Sequence, residues 1–189
     1  MDSTLSLLTV RVYRGGPLAR AGHNHVIASH DLTGVVYVPD DVWRTTFDIR
    51  LPVEALTVDE DDLRAQEGPD FPVGVPENAR EGTRRNMLGP DMLEAERYPG
   101  IGLQSEGFQR VGETLVAQVR VIVRDRASSV LVPVSYDLRG DVLRVQGELP
   151  LKQTDLGLTP FTLFGGALRV QDEMKVRFRI VARAAADEP

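Results

Sequence analysis

No cysteine occurs in the 189 residues, which excludes disulfides, thiolate metal sites and cysteine nucleophiles. Long apolar runs are missing too. The longest stay under ten residues, whereas a helix crossing a bilayer needs about 20, so no transmembrane segment is expected. Met1-Asp2-Ser3-Thr4 lacks the basic start and apolar stretch of a leader. The expected location is therefore periplasmic or secreted if a leader has been removed, and cytoplasmic otherwise. The signatures Gly-x-Ser-x-Gly, His-Glu-x-x-His and Gly-x-x-x-x-Gly-Lys are all absent. Ser29 adjoins His30, but neighbours on a strand face opposite ways and cannot form a nucleophile–base pair. No enzyme is expected.

Positive charge is also in short supply. The formal charge is −6, which argues against a nucleic-acid partner, since that would need a basic face. One segment carries the imbalance. Residues 54–94 hold 11 acids and 4 arginines, a net of −7, and the remainder holds 17 acids against 18 bases.

Period-two alternation fills most of the chain and marks strands with one buried face. Met174, Val176, Phe178 and Ile180 alternate with Lys175, Arg177 and Arg179. Leu143, Val145, Gly147 and Leu149 form a second row, and Val119, Val121 and Val123 a third. Phe47, Ile49 and Leu51 give a fourth, and Val130, Val132, Val134 and Tyr136 a fifth. Further strands are predicted over 4–13, 32–38, 101–108 and 162–170. Gly15-Gly16, Pro39-Asp40-Asp41, Arg139-Gly140-Asp141 and Gly165-Gly166 supply turns between them.

Alternation stops between Val53 and Pro99. There, Pro76-Glu77-Asn78 predicts the start of a helix through Met87, and Asp91 that of a short one over Met92-Leu93-Glu94. The pattern predicts an all-β fold: an antiparallel barrel of about eight strands spanning residues 1–189 as one domain. An acidic helical insertion at about 54–98 interrupts it. Closure is favoured because it removes exposed edges.

Three stretches then resemble the YceI-like family: Glu94-Ala95-Glu96-Arg97-Tyr98-Pro99-Gly100-Ile101, Thr154-Asp155-Leu156-Gly157-Leu158 after the strand from Leu143 to Leu149, and Val170-Gln171-Asp172-Glu173-Met174-Lys175-Val176. They keep the family's order. The resemblance implies a lipocalin-like barrel that binds polyisoprenoid or other long lipid chains, often in the bacterial periplasm. It thus implies a carrier with an isoprenoid or related lipid as its bound partner, and no other cofactor. Homodimer formation is left open.

The inner rows have two readings, packed core or cavity lining. Aromatic residues make up only 6% of the chain and the inner positions are mostly valine, which favours a cavity. Its predicted lining is Phe47, Ile49, Val119, Val121, Val132, Val134, Tyr136, Val145, Val176, Phe178 and Ile180.

The three histidines, His23, His25 and His30, fall within eight residues. On a strand, His23 and His25 would share a face about 7 Å apart. That spacing fits a metal or haem, contact with a lipid headgroup, or ordinary hydrogen bonding near a barrel end. Metal or haem binding is therefore the alternative function. A filled barrel whose acidic insertion meets a basic partner is a third. Asp59-Glu60-Asp61-Asp62 lacks the spacing of a calcium loop and reads as solvated.

Overall fold

The computed structural model describes residues 1–185. The strands are β1 (Leu7–Gly15), β2 (His25–Ser29), β3 (Thr33–Tyr37), β4 (Thr46–Pro52), β5 (Thr57–Val58), β6 (Gly100–Val111), β7 (Thr114–Val123), β8 (Arg126–Arg139), β9 (Val142–Lys152), β10 (Thr162–Leu163) and β11 (Leu168–Arg183). Two helices, α1 (Asp61–Ala65) and α2 (Glu77–Leu88), lie in the acidic insertion.

All the strands belong to one antiparallel sheet in the order β3-β4-β6-β7-β8-β9-β11-β1-β2-β5, with β10 pairing β11. β2 and β3 are two halves of one bent course, and β4 and β5 of another. Ile27 pairs Val58 and Ala28 pairs Thr57, while Thr33 pairs Arg50 and Tyr37 pairs Thr46. The first course reaches β1 through β2, and the second reaches β6 through β4. The path thus curls round as eight courses: β1, β2–β3, β4–β5, β6, β7, β8, β9 and β11. Leu32, fully buried at the break, packs with Ile49, Leu51, Leu8 and Ile180. Gly34, at φ 139°, lets β3 approach β4 so closely that a Cβ would lie 2.1 Å from the Asp48 carbonyl.

Several expectations need correction. β1 starts at Leu7 behind a 3-10 turn over Ser3–Leu5. β2 begins only at His25, leaving His23 ahead of the strand. β2 shows no clean alternation because Val26, Ile27, Ala28 and Ser29 are all buried. The insertion covers its outer face, as a strand buried on both faces requires. No helix forms over 91–94. The Met92 N–H donates to the Gly89 carbonyl in a turn, and Glu94 takes φ 49°. The expected strand at 162–170 is split by a 3-10 turn over Phe164–Gly166.

The insertion is not a loose solvated loop. Leu56, Val58, Phe71, Val75, Leu93 and Ala95 are buried. Outside the barrel, Glu67 pairs with Arg11 and Arg177, each at 2.9 Å, which ties the insertion to β1 and β11. The Asn24 side chain donates to the Asp70 carbonyl. α2 instead lies over the interior. Among the described residues, no helix is long and apolar enough to cross a membrane.

Candidate functional site

A cavity of about 790 Å³ fills the barrel, and every one of the eight courses contributes to its wall. That volume lies within the range of about 300–1,000 Å³ usual for small-molecule sites. All the lining residues read from the alternation face it: Phe47 and Ile49 on β4, Val119 and Val121 on β7, and Val132, Val134 and Tyr136 on β8. Val145 on β9 joins Val176, Phe178 and Ile180 on β11.

The alternation of β1 and β6 carried further lining residues that were not singled out: Leu8, Val10, Val12, Ile101, Leu103 and Phe108. Phe108 has the opposite parity to Leu103, and a bulge between Ser105 and Gly107 turns it inward. α2 adds Ala79, Gly82, Thr83, Asn86 and Met87. Small helical residues such as Ala79 and Gly82 give no chemical signal in a sequence, so nothing there could have marked them.

The two ends of the cavity differ. At one end Trp43, Tyr136 and Leu138 line the wall yet remain 45%, 53% and 49% exposed, so the cavity opens there onto an apolar rim. His23, His25 and Thr83 line the other end, beneath α2. His25 pairs with Val12, which pairs with Met174, whereas Leu138 pairs with Leu143, which pairs with Ala182. Met174 and Ala182 are eight residues apart on β11, about 27 Å at roughly 3.4 Å per residue.

Behind His25 stands a buried polar cluster. Asp59 is fully buried in a left-handed conformation at φ 57°. Its Oδ1 accepts from the Val26 N–H at 2.9 Å and from Arg64 Nη1, and its Oδ2 lies 2.6 Å from His25 Nδ1. Arg64, also fully buried, donates to the carbonyls of Pro72 and Asn24. Burial by itself pushes the Asp59 carboxyl up. The hydrogen bonds from His25, the Val26 N–H and Arg64 outweigh it and hold the group below its usual 3.8. His23 is pushed below its usual 6.5, mainly by burial and then by His25 and Arg64.

This arrangement corrects the reading of Asp59 as a solvated acid. The local sequence offered no sign of it, because the partners come from β2, α1 and the loop after α1. The histidines separate as well. His23 and His25 rings stand 6.2 Å apart at the cavity wall, whereas His30 is exposed and its Nε2 meets Glu60 Oε1 at 2.9 Å. Among the described residues, no group of three or more His, Cys, Asp or Glu is placed to hold a metal ion. With Nδ1 of His25 committed to Asp59 and His30 turned away, nothing supports the metal or haem alternative.

The sequence model of the YceI-like domain matches residues 22–182. The chain belongs to the YceI-like family. That family is known for barrel proteins that bind polyisoprenoids. Among solved structures, this YceI-like barrel is similar to BcnA of Burkholderia cenocepacia, with a TM-score of 0.69 at 16% identity, covering 96% of this chain and 98% of that one. It is also similar to the YCEI protein of Campylobacter jejuni that crystallizes with large solvent channels, with a TM-score of 0.59 at 8% identity over 85% of each chain. At these identities the likeness is one of fold. No curated protein matches the chain.

Proposed function

We propose that this YceI-like barrel binds and sequesters, without chemistry, one long apolar molecule, an isoprenoid chain or related lipid. The observation that carries this reading is the apolar cavity of about 790 Å³, walled by all eight courses and open at a rim containing Trp43, Tyr136 and Leu138. The driving force is removal of the chain from water. At about 0.8 kcal/mol per buried CH₂, ten methylenes contribute roughly 8 kcal/mol before the costs of ordering ligand and wall. The inward residues of β4, β7, β8, β9 and β11 supply the contacts. Family membership supports the ligand class. Titration with a fluorescent long-chain lipid tests the proposal, with saturation expected at one equivalent. Absence of uptake at any concentration below the lipid's own aggregation would contradict it.

A further inference from the structure

The end of the cavity beneath α2 is built for a particular kind of head. Asp59, ionised and fully buried, can only accept hydrogen bonds, so His25 Nδ1, 2.6 Å from its Oδ2, must carry a proton. The Arg64 guanidinium already balances that carboxylate. A neutral His25 then has its lone pair on Nε2. This atom lies at the cavity wall, 3.4 Å from the Thr83 hydroxyl, too far for a good O–H···N bond. The lone pair is therefore largely unspent, in a half-buried position where an unused acceptor is costly.

We infer that Nε2 of His25 is the acceptor for the ligand's head, and that the lipid ends in a proton donor, an alcohol or phenol, rather than a phosphate. The inference rests on the carrier reading and adds both orientation and head chemistry to it. Asp59 acts as a positioning residue that fixes the tautomer. A phosphate would need a free cation beside it. Arg64 is fully buried and spans Asp59, Asn24 and Pro72. Arg14 and Arg169 reach the wall from exposed positions, and Arg14 donates to the Gly22 carbonyl. With the head at His25, the tail runs along the apolar wall toward Trp43 and Tyr136.

The test compares farnesol, farnesyl methyl ether and farnesyl monophosphate on the full chain, by displacement of a fluorescent lipid. Farnesol is expected to bind about tenfold more tightly than the ether, which cannot donate. His25→Leu should lower farnesol to the level of the ether and leave the ether unchanged. Asp59→Asn should do something different. The carboxamide can donate to Nδ1, which moves the imidazole proton to Nε2 and raises the ether to the level of farnesol. A purely structural role for Asp59 would not produce that rise. Should Asp59→Asn fail to fold, His25→Leu decides alone. Equal binding of farnesol and ether to the wild type, or tighter binding of the monophosphate than of farnesol, would overturn the inference and leave the carrier reading standing. Uptake of none of the three would overturn both.

Discussion

Gly147 on β9 and Phe178 on β11 pair directly, and the phenylalanine ring fills the space that a side chain at 147 would need. A Cβ on Gly147 would come within 2.7 Å of the ring and 2.4 Å of the Pro133 carbonyl oxygen. The glycine interrupts the inward row of Leu143, Val145 and Leu149, and the neighbouring ring closes the gap. Gly147→Ala should therefore destabilise the barrel by about 1–3 kcal/mol, the usual range for overpacking. Thermal denaturation would show this as a lower melting temperature. Adding Phe178→Leu should restore only part of the loss, because the contact with Pro133 is made by backbone. An unchanged melting temperature in the single variant would mean that this wall can move.

Gly147 also illustrates how much the sequence reveals. Its place on the inward parity is legible, as are the rows on β4, β7, β8, β9 and β11, because one face of each strand meets the interior and the other meets water. β2 escapes this logic since the insertion buries its second face. The polar end of the site is hidden for a related reason. His25 stands out as a residue, but its partners Asp59, Arg64 and Thr83 lie 34, 39 and 58 positions later in the chain. Asp59 sits in a run of four acids whose composition suits a solvated loop, and only tertiary contacts separate it from its neighbours.

That separation has a consequence for acid stability. The Asp59 carboxyl is held below its ordinary value of 3.8 in the folded chain. Between the two values the unfolded chain binds the extra proton, so stability rises with pH there. The contribution of Asp59 is fully present above the ordinary aspartate range and disappears as pH falls through the lowered value. Urea denaturation from pH 7 downward should show a steeper loss for the wild type than for Asp59→Asn in that window. At neutral pH the variant should be less stable by about 3–5 kcal/mol, since it leaves Arg64 without its buried counter-charge. Parallel pH curves for the two proteins would contradict this account of the cluster.

Val121 separates a cavity from a packed core. It is buried, touches the core cluster and lines the cavity. In a filled interior, Val121→Phe should cost about 1–3 kcal/mol. Because the ring can extend into empty space, the expected cost is below about 1 kcal/mol, with clearly weaker uptake of a long-chain lipid. Melting temperature and lipid binding measured on the same variant check both halves of the expectation.

The most direct test of the carrier reading is native mass spectrometry of the protein purified from a lipid-rich host, before and after organic extraction. The account predicts a reproducible excess mass that extraction removes, belonging to a single long-chain lipid per barrel, with the protein remaining folded afterwards. The same mass before and after extraction, together with no uptake of added long-chain lipid, would contradict it.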